Sequence, residues 1–237
     1  SDYFSTDDRF HRPAFVPGHF FLKATFPHFG QIAVVDQKQY YAGKIEGDNE
    51  FVEQHSPFAE EVNAHLDSGC SLLEIGCGNG RDFCFFASND MAVVATDICE
   101  TAINLTASRL PKDCKCLVAS AKYLPADVYV DYAYVRFVLR ALTEEEQRDL
   151  SVWLKMHVKK IFIGTRSVKD TRCGNRKDVG NNAYAYVDTH YRRFMSPADL
   201  QAVATEAGLF VDDVKDTTPD SGNDGARVVR ATLSIAS

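Results

Sequence analysis

No long hydrophobic run, no excess of basic charge and no paired cysteine motif occurs in this chain of 237 residues, and each absence closes off a class of function. The apolar stretches fall far short of the roughly 20 residues that cross a bilayer, so no membrane-spanning role and no membrane partner are expected. Acidic residues number 33 against 26 Lys and Arg, a formal net charge of -7. No overall positive field exists to hold a polyanion, so nucleic acid is not expected as a partner. The seven cysteines are odd in number, scattered and free of CxxC spacing, which reads as reduced thiols rather than a disulfide framework or a zinc site. The amino end, Ser1-Asp2-Tyr3-Phe4, has neither the basic start nor the apolar stretch of a secretory signal, and a cytoplasmic location is expected. Internal repeats and low-complexity tracts are also missing. What is present is an ordinary globular composition, 45% hydrophobic and 25% charged, on a length that suits one large domain or one domain with an appendage.

Residues 1–50 are aromatic, dotted with proline and aperiodic. Pro13, Pro17 and Pro27 interrupt any helix and Gly43 and Gly47 mark turns, so the stretch reads as an irregular arm or lid ahead of a main domain at 51–237. The pattern changes at Ser56-Pro57-Phe58, where a Ser N-cap, Pro at the first helical position, Glu60 and the spacing of Val62 and Leu66 predict a helix. Buried strands are expected at Leu72–Ile75, Ala92–Thr96 and Cys116–Ala119, with helices over Phe83–Ala87 and Ala102–Leu110 between them. Tyr129–Val138 is a fourth strand candidate, Thr143 with Glu146 forms a capping box for a helix through Trp153 and Leu154, and Ile161–Thr165 is a fifth strand. The long polar stretch Ser167–Asp188 reads as a loop. Ser196-Pro197-Ala198-Asp199 then caps a last helix that Gly208 ends, and Leu209–Val214 and Val228–Ile235 follow as strands with no helix between them. Five βα units closed by an antiparallel hairpin describe an α/β fold. It is a Rossmann-like, doubly wound, mostly parallel sheet of seven strands, with ligands at the carboxyl ends of the strands.

The segment Leu72-Leu73-Glu74-Ile75-Gly76-Cys77-Gly78-Asn79-Gly80-Arg81-Asp82 puts three glycines in GxGxG spacing between the first of those strands and its helix. Glycines there let backbone approach a ligand and expose N–H groups at a helix start, which is how a nucleotide-like group is held; a plain glycine turn is the bland alternative. A dinucleotide fingerprint needs its third glycine where Arg81 stands, so a nicotinamide enzyme is the runner-up.

This segment resembles the first motif of class I S-adenosylmethionine-dependent methyltransferases, in which an acid ends the strand ahead of GxGxG, as Glu74 stands ahead of Gly76, Gly78 and Gly80. The resemblance extends over residues 56–236. It implies S-adenosylmethionine as cofactor, with Glu74, Gly76, Cys77, Gly78, Asn79, Gly80 and Asp82 among its contacts. Asp97, at the end of the second strand, matches the acid that grips both ribose hydroxyls in that family, and two acceptor oxygens suit a vicinal diol. Capping of the next helix is the other reading of Asp97. Where the family has an acid or amide near the adenine amino group this chain has Ala119-Ser120-Ala121, which leaves adenine to Ser120, the backbone of Ala121 and packing by Ile98. Arg136, at the end of the fourth strand, completes the cofactor set; the absence there of an Asn-Pro-Pro-Tyr sequence argues against amino methylation of DNA.

More narrowly, Val135–Thr143, Arg166–Asp170 and Asp188–Phe194 look like a methyltransferase subgroup met in polysaccharide assembly, and Tyr40-Tyr41 with Ser56-Pro57-Phe58 looks like its cofactor-closing segment. That adds Tyr41 and Ser56 to the implied cofactor contacts. The subgroup has His where Arg140 stands, so any catalytic role at that position has changed here and Arg140 passes to the acceptor side. The combination is also similar to the methyltransferase portion of algal-virus proteins that build rhamnose-rich surface glycans. That likeness implies a linker, ending near residue 40, from a preceding glycosyltransferase domain, and residence in the host cytoplasm.

The resemblance implies methyl transfer to a sugar hydroxyl of a glycan, a deoxyhexose such as rhamnose. Transfer from a sulfonium is an in-line displacement in which orientation contributes about 7–11 kcal/mol. A protonated hydroxyl is a poor nucleophile, so a base is expected. His190, in a polar loop just before the last helix, is the first choice and Asp170 and Asp188 the second; a histidine satisfying backbone groups beneath the loop is the alternative. Arg166 and Arg193 either orient acceptor hydroxyls or form ordinary ion pairs, and Tyr184, Tyr186 and Tyr191 either stack on a pyranose face or anchor the loop. No metal is expected. Asp212 and Asp213 are neighbours on a strand and point to opposite faces, and Asp220 and Asp224 sit in a Gly-rich turn. A methyltransferase of a small nonsugar metabolite and a catalytically silent cofactor-binding module are the competing readings.

Overall fold

Side chains alternate across a strand, so a strand buried at every position has a packed layer on both faces. Ser71–Ile75 (β1) is buried throughout, and Ala92–Asp97 (β2) is buried as far as Thr96. Leu72 and Val93 face one layer with Phe58, Val62, Phe83, Phe86 and Ile103, whereas Leu73 and Val94 face another with Leu150, Leu154 and Leu200. The computed structural model describes residues 54–109, 114–170, 191–217 and 226–235, and the backbone alone of 176–180 and 183–186. Tyr41, Asp188 and His190, the arm at 1–50, Asp220 and Asp224 lie outside the described residues, as does the side chain of Tyr184.

The helices on the first face are Pro57–Asn63 (α1), Arg81–Ser88 (α2) and Glu100–Ala107 (α3). Glu144–His157 (α4) and Pro197–Glu206 (α5) cover the second face, each opened by a full capping box, Thr143 with Glu146 and Ser196 with Asp199. The remaining strands of the main sheet are Lys115–Val118 (β3), Val130–Arg136 (β4), Val158–Arg166 (β5) and, after an insertion, Phe210–Asp216 and Val228–Ser234. The insertion carries Arg176–Gly180 (β6), Ala183–Tyr186 (β7) and Tyr191–Arg193 (β8), which makes the last two strands of the main sheet β9 and β10. The seven strands run in the order β3-β2-β1-β4-β5-β10-β9. The first five are mutually parallel, and β10 is antiparallel to both its neighbours. This is the doubly wound, mostly parallel sheet with an antiparallel end that the sequence predicts.

Two readings are corrected. The polar stretch Ser167–Asp188, expected as a loop, contributes β6 and β7, which join β8 in a separate antiparallel sheet of three strands. Cross-strand pairing supplies there what the side-chain pattern does not, because strand preference is largely a matter of context. The count of five βα units is one helix too many: residues 119–129, between β3 and β4, form turns. Pro125 stands in the middle of that crossing and withholds the N–H a helix needs. The six described cysteines are free thiols, and burial pushes those of Cys70 and Cys116 up to about 11.

Candidate functional site

The strand order reverses between β2 and β4 on either side of β1, and the carboxyl ends of these strands diverge there to leave a cavity of about 280 Å³. Its floor is the turn from β1 into α2. Gly76, Gly78 and Gly80 have φ of 76°, 56° and 78°, the left-handed region that side chains resist. A Cβ on Gly76 would stand 2.5 Å from Val138 Cγ2, whereas one on Gly78 would meet nothing within 4 Å. The Gly76 and Cys77 N–H groups donate to the Thr96 carbonyl at 2.7 and 3.0 Å, which ties the turn to β2.

Asp97 holds the same turn from the end of β2. Its Oδ2 accepts the Gly78 N–H at 3.0 Å and its Oδ1 the N–H of Cys99, the N-cap of α3, at 2.8 Å, so it orders the chain ahead of α3 and lines the cavity at once. Each carboxylate oxygen keeps a second lone pair for a ligand hydroxyl. Burial raises the carboxyl above its ordinary range, opposed by the backbone N–H groups of Cys99, Gly78 and Ile98.

Behind the turn lies a buried polar network. Asp82 accepts the Ser56 N–H at 2.7 Å, the Ser56 hydroxyl at 2.8 Å and the Tyr134 hydroxyl at 2.9 Å. The guanidiniums of Arg81 and Arg136 stand 3.6 and 3.8 Å from its oxygens, beyond a direct hydrogen bond. Ser56 also caps α1 by accepting the Ala59 N–H, so it reaches the cavity through Asp82 and does not line it. Glu74, next to last in β1, stands in the cavity wall, buried, with its Oε2 lacking a hydrogen-bond partner.

Of the residues the sequence nominates for the cofactor, Glu74, Gly76, Cys77, Gly78, Asn79 and Asp82 line the cavity along the turn. Asp97, Ile98, Ser120 and Ala121 line it beyond β2 and β3, and Arg136 beyond β4. Gly80 lies just behind, where a Cβ would come within 2.7 Å of Thr106 Oγ1. The acceptor-side nominees are dispersed. Arg140 lines the cavity, from a 3₁₀ turn at Leu139–Ala141. Arg166, at the end of β5, is ion-paired with the buried Asp170. Arg193 and the half-buried Tyr191 sit on β8, away from the cavity wall.

Arg193 is a buried tie. Its guanidinium donates to Gln147 Oε1 at 2.5 Å and pairs with Glu144 at 3.0 Å, while Gln147 Nε2 donates to the carbonyls of Leu139 and Leu142 at 2.7 and 3.3 Å. The 3₁₀ turn that presents Arg140 is therefore braced from below. Arg193→Ala is expected to lose about 2 kcal/mol, since hydrogen bonds to a charged group contribute roughly 1.5–3 kcal/mol each and Glu144 is partly solvated. Thermal unfolding should show this as a fall of about 4–8 °C in Tm. An unchanged Tm would mean the bonds are replaced by water.

Sequence reasoning missed Tyr134 and Phe137 and read Arg81 only as a glycine that is not there. Tyr134 faces the α2 layer by simple alternation with Ala133 and Val135. Phe137 has a φ of 59°, rare for a non-glycine residue and worth about 1–2 kcal/mol of strain. Its ring lines the cavity with the guanidiniums of Arg136 and Arg140 at 4.5 and 4.8 Å and that of Arg166 at 5.8 Å from the centroid.

These groups suit a nucleoside with a charged amino-acid tail. Asp97 can accept from a diol, Ile98 and Ala121 offer apolar contact to a flat base, Arg81 and Arg136 a site for a carboxylate, and Glu74 an unused acceptor for a cation.

Residues 72–160 match the family model described as a methyltransferase domain. Three solved structures have the same fold. The 1,6-didemethyltoxoflavin-N1-methyltransferase of Burkholderia thailandensis, solved with 1,6-didemethyltoxoflavin and S-adenosylhomocysteine, is 15% identical over 92% of this chain and 99% of its own, with a TM-score of 0.66. The CcbJ methyltransferase of Streptomyces caelestis is 14% identical over 85% of this chain and 100% of its own, with a TM-score of 0.66. A TehB-like SAM-dependent methyltransferase of Corynebacterium glutamicum is 15% identical over 84% of this chain and 98% of its own, with a TM-score of 0.61. No curated protein matches the chain.

Proposed function

Residues 72–160 match a methyltransferase domain, and we propose that the chain is a class I S-adenosylmethionine-dependent methyltransferase that methylates a hydroxyl of a glycan sugar, a deoxyhexose such as rhamnose. The observation that carries this reading is the small sheet, whose β8 packs on the 3₁₀ turn that bears the cavity-lining Arg140. Backbone register sets Tyr184 opposite Asp178 and Arg192, and Tyr186 opposite Arg176. This pairing brings two tyrosines, an acid and two arginines together in this sheet, residue types that suit a sugar ring and its hydroxyls. Tyr191 pairs with Ala185. On this reading the sequence ahead of residue 41 links to a preceding glycosyltransferase domain.

When bound, the cofactor supplies an activated methyl group; the protein supplies alignment and proton removal. Asp97 and the glycine turn place the nucleoside, and Arg81 and Arg136 take the carboxylate of its tail. His190 removes the hydroxyl proton, since Asp170 is buried and engaged with Arg166. Among the described residues no group of three His, Cys, Asp or Glu is placed to hold a metal. Asp212 accepts from Ser234 at 2.7 Å and Asp213 stands 3.9 Å from Lys215. Methyl transfer is expected to survive EDTA and to ignore added magnesium, as radiolabel transfer with and without chelator will show. Activity lost to EDTA and restored by magnesium would overturn that expectation.

A small nonsugar acceptor is the second reading, favoured by the likeness to the Burkholderia enzyme named for methylating 1,6-didemethyltoxoflavin. A panel of sugar glycosides and small metabolites, with product NMR, separates the two. Methylated rhamnosides support the proposal, methylation confined to nonsugar compounds replaces it, and no turnover with any acceptor favours a silent cofactor-binding module.

A further inference from the structure

A buried carboxyl with an unpartnered oxygen is neutral unless something pays the desolvation of its charge. Glu74 is such a group: buried at the carboxyl end of β1, lining the cofactor cavity, with no hydrogen bond to Oε2. Four charged groups on the elements around it act on its ionisation. Asp82 on α2 and Asp97 on β2 oppose it, and Arg136 on β4 and Arg81 at the start of α2 favour it. Desolvation outweighs the rest and holds the carboxyl well above the usual carboxylate range.

We propose that Glu74 discriminates the cofactor from its demethylated product by charge: its carboxyl is neutral before binding, releases its proton to solvent as S-adenosylmethionine enters, and recovers one when S-adenosylhomocysteine has formed. The proton balance follows the ligand. S-adenosylmethionine carries a sulfonium and an α-ammonium, and a cation brought into a low-dielectric cavity favours the carboxylate. Transfer of the methyl group breaks the sulfur–methyl bond, leaves its electron pair on sulfur and turns the sulfonium into a neutral thioether. The α-ammonium is common to both ligands, so the sulfonium alone makes the difference. Glu74 would then weaken the hold on product relative to substrate, and would do so more at high pH, where the carboxylate is easier to form. The inference rests on the methyl donor and is independent of the acceptor.

Calorimetry in phosphate and in Tris, whose ionisation heats differ, counts protons released on binding. At pH 7 wild-type protein is expected to release clearly more protons with S-adenosylmethionine than with S-adenosylhomocysteine. The ratio of the two affinities should rise about ten-fold from pH 6 to pH 8, the equivalent of one unit of pKa difference between the two complexes. Glu74→Gln, close in shape and without charge, should abolish the difference in proton release and flatten the pH dependence of the ratio. Equal proton release with both ligands in the wild type overturns the proposal, whether or not the variant folds. A difference that survives in a folded Glu74→Gln protein overturns it as well, by assigning the proton to another group. Failure of every acceptor in the sugar panel leaves these measurements unaffected.

Discussion

Gly78→Val is expected to remove S-adenosylmethionine binding from a protein that still folds. At this position φ is 56°, and a built Cβ meets nothing within 4 Å, because the direction it takes is open. A side chain there strains the backbone by about 1–2 kcal/mol, which a domain stable by roughly 5–15 kcal/mol tolerates. The branched carbons of valine would occupy the space where the turn meets its ligand. Affinity should fall by about 100-fold or more, equivalent to at least ~2.7 kcal/mol. Gly76→Val makes the contrast, since its Cβ would lie 2.5 Å from Val138 Cγ2 and damage should appear as a loss of fold. Calorimetry with circular dichroism checks both variants. Near-native affinity in Gly78→Val would make the turn structural and remove the placement of the cofactor.

His190→Ala is expected to lower turnover by about two to four orders of magnitude, the range in which a positioned base contributes, with cofactor affinity close to wild type. The separation follows from position along the chain. The groups offered to the cofactor lie on the turn after β1 and beyond β2, β3 and β4, whereas His190 immediately precedes β8. The pH profile should also lose its lower limb. A small effect on turnover would move the base elsewhere and make Asp188→Asn the next variant to measure. A parallel fall in affinity and turnover would make His190 a residue that holds its segment in place.

The glycine turn and Asp97 were legible because their chemistry is local: spacing and position after a strand are enough to put backbone N–H groups and a carboxylate at one sheet edge. The strands were legible for a related reason, since burial on both faces leaves continuous apolar runs at Leu72–Ile75 and Ala92–Thr96. The Ser56–Asp82–Tyr134 network was not, because its members lie 26 and 52 residues apart and meet only when α1, α2 and β4 are assembled. β6 escaped for another reason. Arg176-Lys177-Asp178-Val179-Gly180 contains one β-branched residue, and its strand character comes from β7 beside it. Phe137 carried no signal, as nothing in its residue type announces a positive φ just past the end of β4, where its N–H donates to the Gly164 carbonyl at 2.7 Å.

The place of β10 has a consequence during synthesis. β5 sits between β4 and β10, and Val228–Ser234 pairs with Arg166–Lys160, a stretch the ribosome makes far earlier. At ~5–20 residues per second the delay is on the order of several seconds. Through that interval β5 has one open edge, beside the hydrophobic Ile161, Phe162 and Ile163, while β1, β2 and β4 are already free to pair. α1 waits as well, since Glu61 finds Lys215 and Arg230 only 154 and 169 residues later. The nascent chain thus holds an unprotected strand beside an assembled glycine turn, and chaperone capture or aggregation competes with folding until β10 arrives.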